Sequence, residues 1–260
     1  MVGFRVVDPS ARQSWCDRGV VKQRRRLAAL AILTATAAVT VQCAPAPDPA
    51  PAPDPAPPAA MSSATISTTR AAPPPTARPA AVGPVSAAEL GATWRPECPV
   101  PPAELRLVEV DHLGFDGGMH RGQLVVHEDI VDDVIAIFAD LTRLRYPIEK
   151  MRTVQNYPGA QDELSMRDNN TSAFNCRPLG DGWSWHAYGR AIDVNPLVNP
   201  YISSDGDLQP ATASVYLDRT RDDAGMLRAD SPAVRVFTDR GWRWGGAWRD
   251  PIDYQHFELP

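Results

Sequence analysis

Two short stretches hold the residues best suited to chemistry. Residues 183–193 read Trp-Ser-Trp-His-Ala-Tyr-Gly-Arg-Ala-Ile-Asp, and residues 253–258 read Asp-Tyr-Gln-His-Phe-Glu. His186, Asp193 and His256 stand there among glycine, aromatic and β-branched neighbours, where a solvated charge run is not expected. Imidazole nitrogen and carboxylate oxygen are the donors zinc prefers, and a catalytic zinc keeps three protein ligands with one position open. One such ion per domain is therefore expected on His186, Asp193 and His256. Two ligands from one local segment lower the entropy of assembling the site, while the distant third ties the chain around the ion. Asp253, three residues before His256, is the expected general base, on a helical or tight turn that brings its carboxylate to the site.

The elements that must position these side chains can be read in part. Seven residues separate His186 from Asp193, close to two helical turns, but Gly189 between them and Ala-Ile-Asp-Val before Pro196 favour a turn entering a strand. On that strand Asp193 points away from Ile192 and Val194, which face the core. Leu124-Val-Val126 reads as a strand. Ile130, Val134, Phe138 and Leu141 fall at helical spacing between residues 129 and 145, with Pro147 as the stop. Ile148 to Val154 reads as a further strand that delivers Arg152 beside the site. Ser231, Pro232 and Gly241 frame a short helix as N-cap, first-turn proline and terminating glycine. Trp242, Trp244 and Trp248 follow around Gly245-Gly246 as an aromatic stripe, which is more often core than ligand cradle and here can serve as both: Trp242 and Trp244 share one strand face, and the glycines would let a substrate approach the backbone. His112, His120 and His127 read as structural, and Asp205-Gly-Asp207 as a turn, since a calcium loop needs more oxygen ligands.

The pattern Ser184-x-His186-x-x-Gly189-x-Ala191-x-Asp193, followed by Asp253-x-x-His256, resembles the signature of zinc D-alanyl-D-alanine carboxypeptidases and L-alanoyl-D-glutamate endopeptidases of bacterial cell walls. Gly114-Phe-Asp-Gly, Pro147-Ile-Glu-Lys-Met-Arg152, Asn170-Thr-Ser-Ala-Phe-Asn-Cys-Arg177, Asn199-Pro-Tyr and Gly241-Trp-Arg-Trp-Gly-Gly are similar to the endopeptidase-like branch. The resemblance implies a small α+β domain of the Hedgehog and DD-peptidase type, with zinc on a central antiparallel sheet. It further implies a peptidase acting on peptidoglycan stem peptides. A metal-stabilised module that binds such peptides without cutting them is the alternative. In the resembled family an arginine near Arg152 binds substrate carboxylate or the developing oxyanion, and Arg177 is its rival here. Ser184 and Glu258 are expected to orient the ligands, and Trp244 to line the substrate cradle.

Composition bounds the rest. Of 260 residues 27 are proline, and most of these crowd the first third. Residues 1–43 read as an export signal, with Lys22, Arg24, Arg25 and Arg26 ahead of an apolar stretch at 27–41 that is short of the ~20 residues a membrane span needs. Cys43 offers a site for a lipid anchor, although Gln42 stands where a small residue is usual. Residues 44–86, with Pro-Ala-Pro-Asp-Pro-Ala twice in succession, read as a disordered or polyproline tether, and residues 87–260 as the zinc peptidase domain. Without residues 1–43 the chain keeps 19 basic against 29 acidic side chains, an acidic balance that points away from a nucleic-acid partner, which would need a basic patch. Membrane contact is expected only through the signal or the lipid, and the domain is expected to be an exported monomer. Cys98 and Cys176 are the only cysteines left there; an oxidising compartment favours a disulfide between them, two free thiols being the alternative.

Overall fold

The computed structural model describes residues 77–260, so the export signal, Cys43 and the proline repeats lie outside the described residues. The first sheet is antiparallel, ordered β1 (Ala81–Pro84), β2 (Leu105–Leu113) and β3 (Met119–His127), with the short helix α1 (Ala87–Leu90) between its first two strands. β1 falls inside the segment expected to be a tether, so the folded unit begins before residue 87. The reason is local pairing: β1 runs in register along residues 106–109 of β2, and the Arg78 guanidinium binds the buried Asp111 carboxylate at 2.8 Å.

β2 and β3 separate two cores. Val108, Val110, Leu124 and Val126 face α2 (Val131–Arg143), while Leu105 and Val125 pack with Phe174, Cys176 and Ala187. In α2 the buried Val134, Ile137, Phe138 and Leu141 form one stripe, as the i, i+3, i+4 spacing requires. The helix ends before Pro147, where Arg145 takes a left-handed conformation at φ 55°. The expected strand over residues 148–154 shrinks to β4 (Lys150–Met151). Beyond it the Asn170 side chain takes over, accepting from the Arg152 N–H and donating to the Arg152 carbonyl at 2.8 and 2.9 Å.

After the helix α3 (Asp162–Arg167) come β5 (Asn170–Thr171), parallel to β4, and the hairpin of β6 (Pro178–Leu179) with β7 (Gly182–Trp183). The remaining strands are β8 (Ala191–Asp193), β9 (Tyr201–Ile202), β10 (Leu208–Gln209), β11 (Arg243–Trp244), β12 (Ile252–Asp253) and β13 (His256–Glu258), with α4 (Pro232–Thr238) before β11. They form two antiparallel sheets, β11-β13-β8 and β10-β9-β12. The α+β class is as expected, but the single central sheet is replaced by several small ones. Pro196, Pro200, Pro210 and Pro251 have no N–H to continue a ladder, and the strands they flank are two or three residues long. α4 is capped as the sequence suggests, with Ser231 Oγ accepting from the Val234 N–H. Gly206 turns the chain between β9 and β10 at φ 85°. A Cys98–Cys176 disulfide pins the segment around β5 to the start of the domain. Among the described residues no helix is long and apolar enough to cross a membrane.

Candidate metal centre

His186 lies on a 3-10 helix, Trp185–Tyr188, whose start is capped by the Ser184 hydroxyl accepting the His186 N–H. Gly189 ends the turn at φ 65°, and a Cβ there would stand 2.7 Å from the His127 backbone nitrogen. Only glycine tolerates both demands. The His186 Nδ1 lies 2.5 Å from the Ala173 carbonyl oxygen. A carbonyl can only accept, so Nδ1 donates to it and Nε2 is the nitrogen turned toward Asp193 and His256.

Asp193 ends β8, with Ile192 and Val194 on either side fully buried. The register of β13 against β8 sets His256 directly opposite Asp193. The His256 Nε2 faces Oε2 of Glu258 at 3.1 Å, which turns Nδ1 toward Asp193 and His186. Glu258 is held from its other side by Arg243 at 2.9 Å.

The three donor groups close on one point. His186 Nε2 to His256 Nδ1 is 3.2 Å, His256 Nδ1 to Asp193 Oδ1 is 3.1 Å, and His186 Nε2 to Asp193 Oδ2 is 3.2 Å. Zinc bonds of ~2.0 Å in a tetrahedron put neighbouring ligand atoms about 3.3 Å apart. The residues therefore fit a tetrahedral ion in both donor type and spacing, and among the described residues they are the one His, Cys or acid group so gathered. The electrostatics agree. Burial by itself would raise the Asp193 pKa, but the imidazoles of His186 and His256 hold it well below the usual carboxylate range. Burial would lower that of His256, yet the Asp193 and Glu258 carboxylates outweigh it and raise the value to about 10. A site that grips a proton so strongly is one that attracts a cation, and metal and proton compete for the same nitrogen.

Asp253 ends β12, a bend at residues 254–255 separates it from His256 on β13, and it lines the same cavity of about 270 Å³ as Asp193 and His256. Its Oδ1 is buried without a hydrogen-bond partner, and burial pushes its carboxyl up to about 6. Gly245 sits behind it: a Cβ there would come within 2.7 Å of the Asp253 carbonyl oxygen and 2.9 Å of its Cβ. Gly246 is closed over by the Trp244 ring in the same way. The close approach allowed by this glycine pair is thus to the protein itself and not to a substrate.

Other expected site residues divide. Ser184, Arg177 and Glu258 line the cavity, Arg177 paired with Asp162 at 2.8 Å. Arg152 does not line it; its side chain is exposed, and its charge acts on Asp168 and Tyr157. Trp244 is a core residue stacked on Phe257, its indole N–H donating to the Tyr254 carbonyl. The aromatic wall comes instead from Trp185, Tyr201 and Trp248, the last with its ring centroid 5.5 Å from that of His256. Of these three, Trp248 belongs to the aromatic stripe read in the sequence around Gly245-Gly246, whereas Trp185 and Tyr201 stand out only as part of the stretch around His186 and of Asn199-Pro-Tyr. His120 pairs with exposed Asp116, His127 accepts from the Asp129 N–H, and His112 is buried against β3.

Comparison with known proteins adds one match. Neither curated proteins nor solved structures give a match to this chain. Residues 179–259 match the family described as D-alanyl-D-alanine carboxypeptidase, and His186, Asp193, Asp253, His256 and Glu258 all lie within that stretch.

Proposed function

We propose that the domain is an exported zinc peptidase that hydrolyses peptide bonds in peptidoglycan stem peptides, of the D-alanyl-D-alanine carboxypeptidase or L-alanoyl-D-glutamate endopeptidase type. The observation that carries this is a buried, unpartnered carboxylate oxygen on Asp253 lining one cavity with two of three donors set at tetrahedral spacing. The family match over the same residues supplies the substrate class.

His186, Asp193 and His256 would hold the ion. Zinc at such a site supplies Lewis acidity, acidifying a water and polarising the scissile carbonyl. Asp253 then takes the proton of the water as its oxygen adds to the carbonyl carbon, and delivers it to the amine as the carbon–nitrogen bond breaks. Glu258 fixes the His256 ring and Ala173 the His186 ring, so neither imidazole has to be ordered during turnover. Arg177 offers a permanent positive charge on the cavity wall, suited to a substrate carboxylate or an oxyanion. The disulfide fits an oxidising compartment outside the cytoplasm.

The test is incubation of the zinc-loaded protein with purified stem peptides, with and without chelator, beside Asp253→Asn. Expected is cleavage that chelator abolishes and that the variant loses by ~10²- to 10⁴-fold while retaining one zinc. Binding of the peptides with no cleavage would make the domain a recognition module instead.

A further inference from the structure

In the sheet β10-β9-β12, Asp253 stands directly opposite Tyr201, and Tyr201 directly opposite Gln209. Residues paired this way share a face of the sheet, and all three line the cavity. The alternate register positions are Ile252, Ile202 and Leu208, which take the opposite face. Six residues on three strands thus sort into an acid, a phenol and an amide toward the cavity and three aliphatic chains away from it.

The row also has a direction. Asp253 has an oxygen fully shielded from solvent, Tyr201 is half-buried and Gln209 is exposed, so the three run from the floor of the cavity to its rim. Strands lie ~4.8 Å apart, which places the backbones of Tyr201 and Gln209 about 5 and 10 Å from that of Asp253. An extended peptide advances ~3.3 Å per residue, so the far end of the row corresponds to about three residues. Phenol and carboxamide can each donate and accept, which suits the alternating N–H and C=O groups of such a chain.

We propose that Tyr201 and Gln209 form a subsite that binds an extended peptide up to about three residues from the scissile bond, making the domain selective for oligopeptides over dipeptides. This rests on the peptidase reading above and adds substrate length to it. Both are positioning residues, acting on substrate orientation.

The experiment compares wild type, Tyr201→Phe and Gln209→Ala on stem-derived di-, tri- and pentapeptides. Each lost hydrogen bond is expected to lower kcat/KM on the pentapeptide by roughly 3- to 10-fold, mainly through KM, and the loss in Gln209→Ala is expected to grow with peptide length and to be smallest on the dipeptide, which is too short to reach it. An equal loss at every length, or none at any length, overturns the subsite. If wild type cleaves no peptide, the peptidase reading fails separately; equilibrium binding of the same peptides to zinc-loaded Asp253→Asn, with and without Gln209→Ala, then decides the subsite. Affinity that rises with length and loses that rise in Gln209→Ala upholds it, and affinity independent of length or absent overturns it. Gln209 is exposed and Tyr201→Phe keeps the ring, so both variants should fold, which circular dichroism checks.

Discussion

The Glu258 carboxylate reaches back along its own strand to His256, with 3.1 Å between Oε2 and Nε2. Residues two apart on a strand point to the same side, so the spacing of the two is enough to produce the contact. Arg243 on the neighbouring strand neutralises the other oxygen. Glu258→Gln should leave the fold intact but weaken zinc binding by about 10- to 100-fold, measured by competition with a chelator of known affinity. An unchanged affinity would mean that strand pairing alone orients His256.

Asp253 should impose the acid limb of the activity profile. Burial raises its carboxyl to about 6, the Asp193 charge adding and the His256 and His186 charges opposing. A cation between those ligands draws it down, toward the ordinary ~3.9. Because only the ionised form accepts a proton, kcat/KM should rise with pH through a midpoint between about 4 and 6. Asp253→Asn should lose that limb in whatever activity remains, as read from kcat/KM profiles with zinc held saturating.

The two arginines separate cleanly in space. Arg177 lines the cavity and Arg152 does not. Arg177→Ala should lower kcat/KM by roughly 10- to 100-fold, the worth of a charged hydrogen bond, whereas Arg152→Ala should stay within threefold. Equal effects would return Arg152 to consideration.

Gly189→Ala combines a left-handed backbone with a Cβ 2.7 Å from the His127 nitrogen. A cost of about 2 kcal/mol or more is expected in denaturant unfolding, together with weaker metal binding because the turn carries His186.

The disulfide spans 78 residues, for which loop entropy alone gives about 4.5 kcal/mol. The Cys98→Ser, Cys176→Ser double variant should lose about 2–5 kcal/mol by urea unfolding. Since Cys176 follows the Ala173 carbonyl that orients His186 by three residues, zinc affinity should fall too.

The donor residues could be read from the chain because each is a polar residue set in an apolar, glycine-bearing context, and context of that kind is local. Gly189 and the Ala-Ile-Asp-Val run likewise announced a turn and a strand. Arg152 and Trp244 misled for a common reason: both were placed by extrapolating strand direction from a few residues. The strand bearing Arg152 stops where Asn170, eighteen positions away, captures its backbone. Trp242 and Trp244 do share a face, and it is the core, the other half of what the aromatic stripe allowed; of that stripe it is Trp248 that lines the cavity. The onset of the folded unit was missed because Ala81–Pro84 carries little apolar bulk and is fixed by partners on β2.

β13, which carries both His256 and Glu258, is the middle strand of its sheet, hydrogen-bonded on either side to segments from elsewhere in the chain. An unfolded polypeptide therefore holds no fragment of a working centre: His186 and Asp193 alone offer two donors, and the third arrives only when the sheet closes. On the proposed peptidase reading, hydrolytic capacity is in this way a property of completed folding, and a chain exported unfolded would stay harmless to its surroundings on the way.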